Sequence, residues 1–318
     1  MNAQSPFAVD AAPLPLGKFA DPALTAKGET RATVAMSGLE TLWFNTGTLC
    51  NLACQTCYIE SSPTNDALVY ISLDEVRSYL DEIARDNLRT REIAFTGGEP
   101  FMNSEMVPII ALCLERGFEV LVLTNAMRPM RRFEDRLLAL HDRERLTLRV
   151  SLDHHSKAVH EAERGENSWE KALDGLDWLR ANRFRVAIAG RQLPGESEAA
   201  ARAGYAALVA KHGWKIDADD PAQLVLFPEM DADADTPEIT TECWDKLSVD
   251  PASIMCASSR MVIKRKGAEK PVVAACTLLP YDDEFVLGET LAEAGCAVSL
   301  NHPHCSRFCV LGGASCSA

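Results

Sequence analysis

From residue 39 the chain alternates short β-prone runs with helical runs, and this alternation limits the possible folds more than any other feature. Strands are expected at 41–46, 92–95, 118–123, 146–152, 184–189 and 223–227. Helices are expected at 73–86, 107–116, 133–140, 169–182 and 199–211, the fourth with Leu173, Leu176 and Leu179 on one stripe. Strands that alternate with helices of this length describe an α/β fold built on a parallel sheet. Ligands of such sheets gather at the carboxyl ends of the strands. The polar and glycine-containing runs fall at those ends: 50–57, 96–100, 124–125 and 151–155.

The first of these runs holds Cys50, Cys54 and Cys57, spaced by three residues and then two. Three thiolates can hold three corners of a [4Fe–4S] cluster, whose usual protein complement is four. The fourth iron would then stay open, as in metal sites that do chemistry. A zinc site would need a fourth protein ligand, and no histidine lies nearby in the sequence.

Eleven cysteines among 318 residues are many for a chain with no secretory signal. The cytoplasm is the expected compartment, where disulfides are rare. Cys113, Cys243 and Cys296 are read as small buried hydrophobes. Cys256, Cys276, Cys305, Cys309 and Cys316 form a second group, and such clustering points to metal. His302 and His304 beside Cys305 leave zinc as an alternative there. A hydrophobic fraction of 47% without any long apolar run gives no membrane span. The net charge of −14 argues against a nucleic-acid partner, because that affinity comes mainly from Lys and Arg on phosphates.

Cys50-x3-Cys54-x2-Cys57-Tyr58, followed by Thr96-Gly97-Gly98-Glu99-Pro100, resembles the radical S-adenosylmethionine (radical SAM) superfamily over residues 40–228. The resemblance implies a partial (β/α)6 TIM-like barrel. It implies that Cys50, Cys54 and Cys57 ligate a cluster whose open iron is chelated by SAM. Gly97, Gly98, Glu99 and Pro100 would meet the SAM amine, and paired glycines suit close backbone approach. Tyr58 would lie beside the adenine, and Thr124, Asn125, Ser151 and Asp153 would contact the ribose and methionine groups. Arg164 would face the SAM carboxylate, with a surface ion pair as the plain alternative. Reductive cleavage of SAM would give methionine and a 5′-deoxyadenosyl radical that abstracts hydrogen from a substrate, with flavodoxin or ferredoxin as reductant.

Cys256 and Cys276 bracket an expected hairpin, 261–264 with 272–275, that turns near Gly267, and Cys305-x3-Cys309 follows. This resembles the twitch domain, a shorter relative of the SPASM domain, a small α+β unit with a β-hairpin. It implies one auxiliary [4Fe–4S] cluster on Cys256, Cys276, Cys305 and Cys309, about a domain away from the first, for electron transfer or substrate binding. The spacing departs from a tight Cys-x2-Cys, and Cys316 is a competing ligand. The expected organisation is an N-terminal extension (1–38, extended and partly disordered), a barrel (39–228), a linker (229–250) and an auxiliary-cluster domain (251–318). The spaced acids from Asp231 to Glu242 resemble a calcium loop, but the required glycine is missing and Pro237 intrudes. A small-molecule substrate is the first expectation, since the 38-residue lead looks too short for a leader-binding domain. A maturase of a ribosomally made peptide or protein is the second, and a non-catalytic iron–sulfur electron carrier the third.

Overall fold

The computed structural model describes residues 5–8, 11–228 and 231–313. A short strand, β1 (Thr33–Val34), leads into the core strand β2 (Thr41–Asn45). The core continues as α1 (Leu73–Arg85), β3 (Glu92–Thr96), α2 (Met106–Glu115) and β4 (Glu119–Thr124). A short helix that the sequence pattern does not predict, α3 (Arg128–Arg131), precedes α4 (Glu134–Leu138), which stands where the helix 133–140 is expected. Next come β5 (Leu146–Ser151), α5 (Lys157–Arg164), α6 (Ser168–Ala181), β6 (Arg185–Arg191), α7 (Glu198–His212) and β7 (Leu224–Phe227). The C-terminal region contributes α8 (Cys243–Leu247), β8 (Ser259–Ile263), β9 (Val272–Ala274), β10 (Val286–Gly288) and β11 (Val298–Ser299).

Strands β2 to β7 pair in chain order and in parallel, so the expected partial barrel is present. The sheet stays open, running β10-β9-β8-β2-β3-β4-β5-β6-β7. Both faces of its central strands are buried, as a helix-covered parallel sheet requires. On the outer face Phe44, Phe95, Val122, Leu148 and Val150 pack with residues of α1, α2 and α6, such as Leu80, Ile110 and Leu176. On the inner face Trp43, Ala94, Leu121 and Met261 form a second cluster. The period-two alternation of strands sorts these sets, and the last inward positions, Thr96, Leu123 and Ser151, reach a cavity at the strand ends.

The expected hairpin forms, with Met261 opposite Ala274 and Ile263 opposite Val272. Its first strand also pairs in parallel with β2, from Thr41 opposite Ser259 to Phe44 opposite Val262. The C-terminal region therefore prolongs the barrel sheet. The lead segment runs against the acidic stretch after β7. Pro13 bridges Ala234, Arg31 bridges Thr240 and β1 pairs with β11. Arg31, buried, holds Glu238 at 2.6 Å, and Lys18 holds Asp235 at 2.7 Å. Described residues 11–38 are thus an arm anchored at these points, while most side chains of residues 11–30 stay exposed. No helix among the described residues is long and apolar enough to cross a membrane.

Candidate active site

The loop that carries the first cysteines is knitted to the loop after β3 by backbone hydrogen bonds. Thr46 N donates to Thr96 O at 2.8 Å, Gly98 N to Gly47 O at 2.8 Å and Glu99 N to Leu49 O at 3.2 Å. Contact this close requires glycine: a Cβ on Gly98 would lie 2.2 Å from the Leu49 carbonyl oxygen, and Gly97 has φ +139. The loop is also fastened to α5. Gln55 N donates to Glu163 O at 3.2 Å, and the Glu163 carboxylate accepts from Thr56 N and Thr56 Oγ1, both at 2.9 Å.

A cavity of about 160 Å³ opens between these loops at the carboxyl ends of the strands. Cys50, Cys54, Cys57 and Tyr58 line one side, and Gly97 and Gly98 adjoin them. Thr124, Asn125, Ser151, Asp153 and Arg164 complete the wall. Glu99 and Pro100 are not in that wall. The buried Glu99 carboxylate accepts from Thr124 Oγ1 at 2.8 Å, Asn125 N at 2.8 Å and Phe101 N at 3.1 Å. Burial pushes its carboxyl up to about 7, against those three hydrogen bonds, which favour the charged form. Pro100 opens a buried single-turn helix, Pro100–Met102.

Arg164 and Asp153 form a two-point ion pair, Nε to Oδ2 at 2.6 Å and Nη2 to Oδ1 at 3.0 Å. The pair is mostly buried, so the surface ion-pair alternative does not hold. Burial works against the Asp153 charge, yet Arg164 holds the carboxyl below the usual carboxylate range. Beside the pair, burial pushes Cys50 up to about 12 and Cys54 to about 11. Both are protonated at neutral pH, so a bound metal must displace those protons, as thiolate ligation generally requires.

The second cysteine group also converges. Cys256 and Cys305 belong to the inner apolar cluster, and Cys276 and Cys309 pack against it. Leu278 and Phe308, close in sequence to Cys276 and Cys309, line the same cavity as the first group. Tyr281 Oη donates to Ile59 O at 2.7 Å, just past Cys57. Neighbours in sequence of the C-terminal group therefore reach the cavity wall. Cys316 lies outside the described residues.

The sulfur spacing bears on the zinc alternative. Thiolates sharing one tetrahedral zinc lie about 4 Å apart, given bonds of about 2.3 Å. Among the described residues only His154, His155 and Glu196 bring three ligand atoms within 4.8 Å of one another. His154 Nδ1 accepts from Ser156 N at 3.0 Å, which places its ring proton on Nε2, toward Glu196. That tautomer does not offer Nε2 to a metal. The cysteine groups are set wider than a single ion needs, and the first lines a cleft with the paired glycines beside it. This donor set fits a cluster with an exchangeable fourth position.

Sequence reasoning missed Glu163 and Arg191, both in the cavity wall. Arg191 Nη1 lies 2.7 Å from Thr56 Oγ1 and 3.3 Å from Glu163 Oε1. Ser5 Oγ donates to Glu163 Oε2 at 2.5 Å, and the Arg191 guanidinium sits 4.0 Å from the centre of the buried Phe7 ring. The signal was faint: a charged helix, α5, that buries only His160 and Glu163.

Three comparisons bear on these features. The family profile described as the Radical SAM superfamily matches residues 44–202, half of the chain. The antilisterial bacteriocin subtilosin biosynthesis protein AlbA of Bacillus subtilis is 34% identical over 116 residues, 36% of this chain and 25% of that protein. The GTP 3′,8-cyclase of Rhodococcus opacus is 37% identical over 81 residues, 24% of this chain and 23% of that enzyme. The chain thus spans about a quarter of each of these curated relatives. Among solved structures, anSMEcpe with bound AdoMet superposes with a TM-score of 0.55 at 15% identity, covering 80% of this chain and 77% of that one. Streptococcus suis SuiB bound to S-adenosylmethionine gives a TM-score of 0.55 at 11% identity, covering 78% and 63%. These likenesses give the same fold, a partial TIM barrel. With the cysteine triad, the paired glycines and the open parallel sheet in place, the chain belongs to the Radical SAM superfamily.

Proposed function

We propose that this chain cleaves SAM reductively in the cavity at the strand ends and directs the resulting radical to a peptide or protein segment. The observation that carries the reading is the shared cavity: Cys50, Cys54 and Cys57, the adjoining Gly97-Gly98 and the Asp153–Arg164 pair line one space of about 160 Å³. When bound, a cluster on the three thiols supplies the electron for SAM cleavage. The protein binds and orients. Backbone groups at Gly97 and Gly98 receive the SAM amine, while Asp153 fixes the Arg164 guanidinium for the carboxylate. Tyr58 offers a ring to the adenine. Leu123, Phe227, Leu278 and Phe308 keep water from the reacting carbon. Cys256, Cys276, Cys305 and Cys309 would hold an auxiliary cluster, which would supply an acceptor for an electron from substrate. An acidic flavodoxin or ferredoxin is the class of reductant.

Two observations support a peptide. Residues of the lead segment already contact two side chains of the cavity wall, Ser5 on Glu163 and Phe7 against Arg191. The relative AlbA is a bacteriocin biosynthesis protein. The small-molecule reading stands beside it, because another relative is a GTP 3′,8-cyclase. The test is anaerobic reconstitution with iron and sulfide, then dithionite and SAM, with 5′-deoxyadenosine measured alone, with a pool of short peptides and with a pool of metabolites including GTP. Stimulation by peptides alone supports the proposal, and stimulation by metabolites alone replaces it with the second reading. No 5′-deoxyadenosine from protein carrying its clusters would refute both and leave the electron carrier. Replacing Cys50, Cys54 and Cys57 together by Ala should leave about four irons per chain.

A further inference from the structure

Arg260 is 1% exposed and holds four backbone carbonyls. Its Nη1 donates to Cys256 O at 2.6 Å and Ser259 O at 2.7 Å, its Nε to Ala294 O at 2.9 Å and its Nη2 to Cys296 O at 2.8 Å. Carbonyl dipoles satisfy its hydrogen bonds but supply no net charge. Among the described residues, the ionisable groups that act on it are the thiols of Cys256, Cys296 and Cys276, with no carboxylate among them. Arg31, as deeply buried, shows the usual solution: a glutamate, Glu238, at 2.6 Å. A buried cation without a counter-charge is costly, and a neutral side chain could fill the same space. The charge needs an anion in this place, and a four-thiolate iron–sulfur cluster is one. Its negative charge rises by one on reduction, and nearby charge and hydrogen bonds help set its potential.

We propose that Arg260 is the counter-charge of the auxiliary cluster and raises its reduction potential, so that the cluster accepts an electron more readily. This rests on the assignment of Cys256, Cys276, Cys305 and Cys309 as that cluster's ligands. Arg260 is a positioning and tuning residue, since it acts through Cys256 and the cluster rather than on substrate. In the proposed function one electron would enter the cluster from the substrate radical and leave to oxidised flavodoxin or ferredoxin, with no bond made or broken at Arg260.

The experiment uses the full chain with Cys50, Cys54 and Cys57 replaced by Ala, so that only the auxiliary cluster contributes. Its midpoint is read by redox titration followed by electron paramagnetic resonance, for Arg260, Arg260→Lys and Arg260→Gln. Both substitutions remove the fork that clamps Cys256, but only Gln removes the charge. The expected result is a midpoint for Gln lower by a tenfold shift of the one-electron equilibrium, about 59 mV, with Lys near the parent. If Gln loses its iron while Lys keeps it, the charge is needed to hold the cluster and the inference stands. Equal shifts in both variants, equal loss of iron from both, or no shift in either would overturn it. A triple-Ala parent that carries no iron overturns instead the auxiliary-cluster assignment itself.

Discussion

Gly98→Ala isolates the contact that sets the distance between the cysteine loop and the SAM side of the cavity. The new Cβ would lie 2.2 Å from Leu49 O, 2.6 Å from Leu49 C and 2.8 Å from Thr48 O. All three are backbone atoms, so no side chain can turn away. One loop must shift by about 1 Å to restore ordinary contact in a close-packed interior. The same movement stretches the Glu99 N to Leu49 O hydrogen bond, already 3.2 Å. Overpacking of this kind costs about 1–3 kcal/mol of stability. The larger effect is positional, since a misplacement of about 1 Å at a reacting centre can cost about 100-fold in rate. Gly98→Ala is expected to keep most of its iron, because Cys54 and Cys57 lie further along the loop. It should bind SAM more weakly and lose about 100-fold in 5′-deoxyadenosine formation. Gly295→Ala is the control, as nothing lies within 4 Å of its Cβ position. Gly98→Ala activity within twofold of the Gly295→Ala control would refute the argument that this contact sets the geometry.

Three further outcomes follow from the same cavity. Asp153→Asn leaves Arg164 buried without its counter-charge and should cost about 3–5 kcal/mol, read as a lower anaerobic urea midpoint. The carboxyl of Glu99 is raised from 4.5 to about 7, so its protonated form is favoured in the fold. Its contribution to stability is complete below pH 4.5 and is lost as pH rises through about 7. Asp153 is shifted the other way, so its contribution is complete above the ordinary 3.8 and is constant in that window. The buried His160, His302 and His304, lowered from 6.5 to about 4, act alike in the parent and in Glu99→Gln, so the difference between the two isolates Glu99. From pH 5.5 to 8.5 the unfolding free energy of the parent, read from urea titrations, should fall relative to that of Glu99→Gln by an amount on the order of 2 kcal/mol. Phe7→Ala removes the ring under Arg191, and if added peptide takes that seat its KM should fall by up to about tenfold. An unchanged or higher KM would separate the seat from the substrate path.

Much of the barrel was legible because each core strand is a local apolar run buried on both faces, bounded by a turn. The cysteine triad and the paired glycines were legible because their chemistry depends on spacing within a few residues. What the sequence hid depends on contacts between distant segments. Strand β8 pairs with β2 across more than two hundred residues, and no local pattern records that pairing. The lead segment reads as loose because its partners, Asp235, Glu238 and the strand Val298–Ser299, come near the other end of the chain. The direction of the Glu99 side chain was equally hidden. A carboxylate after two glycines suggests a ligand contact, yet Thr124 and Asn125 offer it donors inside the wall.

The parallel pairing of β8 with β2 explains why residues next to the second cysteine group in sequence reach the cavity that the first group lines. Strand β2 delivers Cys50 a few residues past its carboxyl end, at the same edge of the sheet to which β8 is joined. The hairpin then turns the chain back through β9, and Cys276 follows two residues after that strand ends. Leu278, next in line, reaches the cavity wall, and Phe308 arrives there from the C-terminal side, 5.5 Å from the Phe227 ring at the end of β7. Both edges of the partial barrel are thereby bridged by residues adjacent to auxiliary cysteines. An open sheet would otherwise expose a radical to solvent on that side. The segments that carry the second cysteine group also supply the missing wall, so under the proposed function a change that loosens Phe308 should raise uncoupled SAM cleavage.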